Sequence, residues 1–389
     1  MKITATGCCL IDVLYREISY AGDAFCRLLS RVPGDGGLIP GGLVLANDLE
    51  AFAGRPFPEL LYEISGGTEP TAVNLGGPAI VALVHAAQLL EKQGVESRFY
   101  GIVGDDPLAG QIKSFIGETP IQAFFQYMDK SPSPSTVVLA DPYALEGKGE
   151  RSFVHTIGAA EHLAVEQFPD DFYDTDILLI GGSALVPPLH AALTPLLKRA
   201  KEHGALTIVG TVYDFRSQKR DPKGIWPLGD RDSYRFIDLL VCDEEEALRL
   251  SATTRIEDAA NRFIDWGVGA LVITRGARHY LLWSGGKQFL SHEMAMLPVS
   301  RWVDDRLAAD PSLKGDTTGC GDNFLGGLVA SSAMQLPKKP SLREAAAWAA
   351  ASGGFACFYH GGTYHQKRKG EKRRLLEPIV FSYRRQIGD

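Results

Sequence analysis

Residues 313–327 read LKGDTTGCGDNFLGG, gathering Gly315, Gly319, Gly321, Gly326 and Gly327 around Asp316 and Asp322 just ahead of an apolar run with helical character. Glycine weakens a helix, so glycines crowded at a helix start point to backbone freedom or to close approach by something else. The exposed N–H groups of such a start attract anions, phosphate above all. A carboxylate in the same place would repel that phosphate, so Asp322 needs a chemical reason, and accepting the proton of an attacking hydroxyl is one. Capping of the helix from Gly321–Asn323 is the competing reading, since aspartate is a preferred cap. The stretch fits neither GxxxxGK[ST] nor GxGxxG, so those phosphate loops are not implied.

A turn of this kind needs a scaffold. In an open α/β sheet, ligands gather at the carboxyl ends of the strands. Short apolar runs at 3–9, 98–103, 135–140, 152–157, 177–181, 206–211, 238–242, 270–274 and 279–283 read as strands. Helical patterns fall at 78–93, 107–116, 188–203, 244–250, 257–266, 322–335 and 342–357. From residue 177 onward the two kinds mostly take turns, which predicts an α/β fold with a doubly wound, mainly parallel sheet. Residues 13–62, rich in Gly and Pro, and 121–158, which read as strands without helices between them, break the pattern. They read as lid or insert segments forming a small β-structured cover, which leaves 1–12, 63–120 and 159–389 as the core. HQKRKGEKRR, residues 365–374, reads as a solvated tail.

Composition narrows the partners. With 389 residues, 45% hydrophobic and 22% charged, the chain has the make-up of an ordinary soluble enzyme. A formal net charge of −7 argues against nucleic acid and against an anionic membrane surface. Six cysteines show no CxxC pair and no metal-like spacing with the nine histidines, which suits reduced thiols in a cytoplasmic protein. The opening MKITATGCCLIDVLY reads as a first strand and not as a signal peptide. No apolar run approaches the ~18 residues that span a bilayer.

DTTGCGDNF (316–324) resembles the C-terminal signature DTxGAGDxF of the PfkB, or ribokinase-like, carbohydrate kinases, with Cys320 where alanine is commoner. Weaker features follow the family's order. GCCLID (7–12) resembles its opening GxxxxD, GGPAIVA (76–82) its N-terminal glycine signature, and GIVGDDPLAG (101–110) its GxVGxDxxG segment. GERSF (149–153), DEEE (243–246) and TRGARHYLL (274–282) are similar to its GERT, NxxE and T-x-G elements.

The resemblance implies transfer of a phosphoryl group from ATP, with Mg²⁺, to a hydroxyl of a small sugar-like polyol. Asp322 matches the general base, and the amides of Gly319, Cys320 and Gly321 match the anion hole. Asp12, Gly76 and Gly77 match the acceptor site. Asp243, Glu246, Thr274 and Gly276 fall in the nucleotide-side segments, with Glu246 matching the glutamate that organises Mg²⁺ through water. Helix 342–357 with Gly353 and Gly354 would flank the adenine. Three departures stand out: Ile80 replaces a substrate-contacting Asn, Asp243 replaces the Asn of NxxE, and His279 replaces a turn glycine. They leave the acceptor open, a nucleoside being one alternative and a catalytically weak sugar- or nucleotide-binding homologue another. The cover could also pair with a neighbour to form a homodimer.

Overall fold

The computed structural model describes every residue except Pro33, Lys148, Asp316 and Asp389, and for Glu146 and Gly147 it describes the backbone alone. Fourteen strands are described: β1 Lys2–Gly7, β2 Leu10–Tyr15, β3 Leu43–Leu45, β4 Ala72–Gly76, β5 Glu96–Gly104, β6 Gln122–Met128, β7 Ser135–Asp141, β8 Glu150–Thr156, β9 Ile177–Gly181, β10 Leu206–Gly210, β11 Leu239–Asp243, β12 Ala270–Thr274, β13 Tyr280–Ser284 and β14 His292–Leu297. They form a nine-stranded sheet in the order β14-β13-β12-β11-β10-β9-β1-β5-β6 and a five-stranded sheet in the order β3-β8-β7-β2-β4. From β12 to β6 every neighbouring pair is parallel, while β13 and β14 run antiparallel.

Burial follows from this topology. A parallel sheet covered on both faces needs continuous apolar strands, and β9 (ILLIG) is buried throughout. Alternate residues feed opposite cores. Ile177, Leu179, Ile208 and Val272 face one cluster with the helices Pro78–Leu90, Cys320–Gln335, Leu342–Ala356 and Glu371–Ile387. Leu178, Ile180, Val209 and Ile273 face the other, with the helices Leu193–Glu202, Glu244–Ser251 and Ile256–Asp265. A third core lies under the small sheet, where Phe25, Leu38, Leu49, Phe57 and Leu60 pack with Val137, Leu139 and Val154.

The expected segment boundaries shift in several places. The strand expected over 3–9 is interrupted: β1 stops at Gly7, and Cys8-Cys9 carry the chain into β2 of the other sheet. A Cβ on Gly7 would stand 2.0 Å from the Gly181 carbonyl oxygen, so only glycine lets the chain leave there. Residues 121–158 divide between the sheets, since β6 forms an edge of the large one while β7 and β8 belong to the small one. Residues 13–62 carry mainly short helices, and β4 of the small sheet lies in a stretch assigned to the core from sequence. The basic run at 365–374 is no solvated tail throughout, for it leads into the long helix Glu371–Ile387, whose Lys372 is fully buried. Among the described residues no helix is long and apolar enough to cross a membrane.

Candidate active site

The glycines of LKGDTTGCGDNFLGG separate by what surrounds them. A Cβ on Gly326 would lie 2.5 Å from the Ala82 carbonyl oxygen, and one on Gly327 would lie 2.7 Å from Ser352 Oγ. Both let the Cys320 helix pack closely between the Pro78 and Leu342 helices. Gly315 lies against the Tyr359 backbone, where a Cβ would come within 2.2 Å of its carbonyl oxygen. Gly319 is the helix N-cap in left-handed conformation (φ 73°), and among the described residues no side chain caps the helix. Among the described residues, no atom outside its chain neighbours and its own helix backbone lies within 4 Å of a would-be Cβ on Gly321. Asp316 lies outside the described residues.

Asp322 is the third residue of the Cys320 helix. The capping alternative is not realised, because Gly319 occupies that position and no side-chain cap bond is made. Desolvation raises the Asp322 carboxyl to about 6. Leu325, one turn on, lies against Gly210, where a Cβ would meet its Cδ2 at 2.3 Å, so the helix start stands over the carboxyl end of β10. The Cys320 N–H points back to the Thr317 carbonyl at 3.3 Å, a long bond within the turn. Among the described residues, the N–H groups of Gly321 and Asp322 have no backbone acceptor.

Asp12 lies in β2 opposite Asn74 of β4. Its carboxylate fills the space that a side chain at Gly76 would need, with Oδ2 2.1 Å from the position of a Cβ. Gly77 (φ 104°) caps the Pro78 helix, and a Cβ there would strike the Cys8 carbonyl oxygen at 2.5 Å. The glycine pair thus takes the chain from the small sheet into the large body right beside the Cys8-Cys9 crossing. Burial, then Cys9, Asp12 and Asp322, all push the Cys8 thiol upward, which puts both aspartates within electrostatic reach of this junction. Ile80, by contrast, is fully buried in the core.

At the ends of β11 and β12 the acids are more committed. Asp243 Oδ1 accepts from the Glu246 N–H at 2.8 Å, and Glu246 Oε2 accepts from the Asp243 N–H at 3.0 Å, a reciprocal capping box. Thr211 Oγ1 also donates to Glu246 Oε2 at 2.5 Å. Burial first, then Asp243 and, more weakly, Asp322, raise Glu246 to about 8. Burial also raises Asp243. Thr274 Oγ1 donates to the Cys242 carbonyl at 3.4 Å. Gly276 (φ 62°) and His279 sit on an exposed turn, which the Arg275–Glu244 ion pair at 3.0 Å ties back to the Glu244 helix. Among the described residues no group of three His, Cys, Asp or Glu side chains could hold a metal unaided.

Several residues were not singled out from sequence. Arg151 of β8, inside GERSF, reaches from the small sheet to the glycine turn, donating to Thr318 Oγ1 at 2.8 Å and to Thr317 Oγ1 at 3.0 Å. Asn323, next to Asp322, is fully buried. Its Nδ2 donates to the carbonyls of Gly319 and Gly362, each at 2.8 Å. With its amide so oriented, Oδ1 is an acceptor for His85 Nδ1 at 2.6 Å, Tyr359 Oη at 2.9 Å and Lys372 Nζ at 3.2 Å. His85 therefore carries its proton on Nδ1 and accepts from Ser352 Oγ on Nε2 at 2.7 Å. Burial holds the His85 and Lys372 side chains well below their ordinary pKa values. A match inside GERSF was the only sequence signal for Arg151, and none existed for His85 or Lys372.

A nine-stranded, mainly parallel sheet between helices, a small second sheet beside its carboxyl edge and a glycine-rich helix start at that edge define a ribokinase-like α/β protein. A sequence model of the pfkB family carbohydrate kinases matches residues 69–368, and the chain belongs to that family of phosphotransferases. A fructokinase of Vibrio alginolyticus is 26% identical over 299 residues, covering 74% of this chain and 86% of the relative. The adenosine kinase of Sinorhizobium meliloti superposes with a TM-score of 0.70 at 19% identity, over 97% of this chain and 98% of that one. A putative ribokinase II from E. coli, solved in complex with ATP and Mg²⁺, gives 0.65 at 16% identity, covering 98% and 99%. The protein is a kinase of the sugar and nucleoside class.

Proposed function

We propose that this chain transfers the γ-phosphoryl group of ATP to a hydroxyl of a sugar or related small polyol, with Asp322 as general base. The observation that carries the reading is Asp322 itself: it does not cap its helix, its carboxyl is raised to about 6, and it stands beside the open N–H groups of the helix start. A base is most effective when its pKa lies near the working pH, because it is then ionised yet still basic enough to take a proton. As the acceptor hydroxyl attacks, Asp322 takes its proton. The helix-start amides, those of Gly321 and Asp322 foremost, receive the charge on the phosphoryl oxygens, which is most of what phosphoryl transfer requires of a protein. Asp12, against Gly76, would hold acceptor hydroxyls by charge-assisted hydrogen bonds.

ATP would lie along the ends of β11 and β12, beside Asp243, Glu246, Thr274 and Gly276. The neighbouring carboxyls there, both raised by burial and Glu246 further by Asp243, suit a divalent cation, and magnesium commonly takes one or two carboxylates and fills its remaining positions with water and phosphate oxygens. Such a cation would neutralise phosphate charge. The likeness to an adenosine kinase over nearly the whole chain favours one second reading, a nucleoside acceptor. Incubation with Mg-ATP and a panel of pentoses, hexoses, keto-deoxy acids and nucleosides tests both. Phosphorylation of a sugar is expected; phosphorylation of nucleosides alone would replace the first reading with the second, and transfer to no member would overturn the proposal.

A further inference from the structure

Lys372 is buried completely, in a stretch of sequence dense with exposed basic residues. A buried lysine is costly, and one without a carboxylate partner more so. Its amine lies 3.2 Å from Asn323 Oδ1 and over the rings of Tyr359 and Tyr364, each 5.9 Å from Nζ to centroid. The chain that carries it turns inward at Gly370 and opens the Glu371 helix, so the lysine is fixed at the rigid end of a helix.

Asn323 connects that amine to the glycine turn. Its Oδ1 gathers donors from His85, Tyr359 and Lys372, and its Nδ2 grips the Gly319 carbonyl, which also accepts the Asn323 backbone N–H at 2.8 Å. Donors on the oxygen of an amide polarise it and strengthen the bonds its N–H groups make. The Gly319 carbonyl and the Cys320 N–H belong to one planar peptide, so holding the oxygen on the buried side also fixes the N–H that closes the turn on the Thr317 carbonyl at 3.3 Å.

We propose that Lys372 is a positioning residue for the phosphate-binding turn, acting through Asn323 to fix the Gly319–Cys320 peptide from behind. Lys372 touches no reacting atom. The inference rests on the kinase reading for its effect on rate, and on geometry alone for its effect on the turn.

Two measurements on the full chain separate these. An amine buried without a carboxylate partner carries a desolvation cost that an apolar side chain of similar volume removes. Lys372→Met should therefore keep or raise the melting temperature, whereas a purely structural lysine would then leave activity alone. Turnover is expected to fall on the order of tenfold, within the ~10²-fold that a small misplacement near the chemistry can cost, while KM for the acceptor changes less than about twofold. Lys372→Gln, which keeps a donor without the charge, decides the matter if the methionine variant does not fold. Folded variants with turnover within about twofold of the parent overturn the proposal. Hydrogen exchange of backbone amides over residues 317–323, measured without ligand, should quicken in Lys372→Met and in Asn323→Ala. Unchanged exchange overturns the positioning role even in an active kinase. Faster exchange in a protein that phosphorylates nothing supports it and rejects only the kinase reading.

Discussion

The Glu244 and Cys320 helices start at the same edge of the large sheet, and each has an acid as its third residue, Glu246 in one and Asp322 in the other. Glu246 folds back on the N–H of Asp243 and completes a capping box. Asp322 has no such bond, because its helix begins at a glycine in left-handed conformation with no side chain to cap it. The first start satisfies its own donors; the second leaves donors and carboxylate open to a ligand. An acid at one helical position is thus tied to its own helix start or left open according to the residue three places before it.

Substituting at the open start should give the largest effect. Asp322→Asn is expected to lower turnover by ~10²-fold or more with nucleotide binding largely kept, since general-base assistance is typically worth 10²–10⁴. Its pH dependence has a defined sign. The folded pKa of about 6 lies above the ordinary 3.8, so the folded state holds this proton more tightly than the unfolded one. Stability from this group is therefore lost as pH rises from about 4 to 6, while the basic form that supports turnover is gained. Parent turnover should fall below about pH 6, and a pH–rate profile of Asp322→Asn that retains this acid limb would assign it elsewhere.

Gly321→Ala sharpens the comparison. Among the described residues, no atom beyond its chain neighbours and its own helix backbone lies within 4 Å of the added Cβ, so the fold should tolerate it, and removing a helical glycine is worth up to ~1 kcal/mol of added stability. Single-turnover transfer should nonetheless slow, on the order of the 10²–10³ lost with an oxyanion donor, because the methyl group stands where the phosphoryl would rest. A near-normal rate in the folded variant would remove the anion-hole role. Least is expected at the closed start: Asp243→Ala should cost ~0.5–2 kcal/mol in denaturant titration through loss of its cap, with a smaller loss of turnover than Asp322→Asn. Asp243→Asn, able to cap, should recover most of that stability.

What could be read from the sequence was local. Gly319-Cys320-Gly321-Asp322 announced a helix start because its composition conflicts with helix formation, and β9 stood out because a strand buried on both faces is apolar throughout. Which sheet a strand joins is not local. β6 alternates exposed and covered residues as an edge strand does, and nothing in QAFFQYM distinguishes the edge of the large sheet from the small sheet. Asn323 and Lys372 stand 49 positions apart, and a buried lysine among Lys367, Arg368, Lys369, Arg373 and Arg374 has no mark of its own. Burial of that kind is decided by packing of the Glu371 helix against the Leu342 and Pro78 helices, not by the basic run itself.

The place of β1 has a consequence for synthesis. It lies between β5 and β9, with Lys2 beside Glu96 and Ile3 beside Ile177, so the strand made early completes its hydrogen bonds only when residues far down the chain have emerged. At ~5–20 residues per second, that is a wait of roughly 10–35 s. Until then an apolar central strand has at least one bare edge, and fragments ending before Gly181 cannot close the middle of the sheet. Nascent chains halted short of that glycine should therefore be protease-sensitive in β1 and β5, even where the small sheet with its own core has formed.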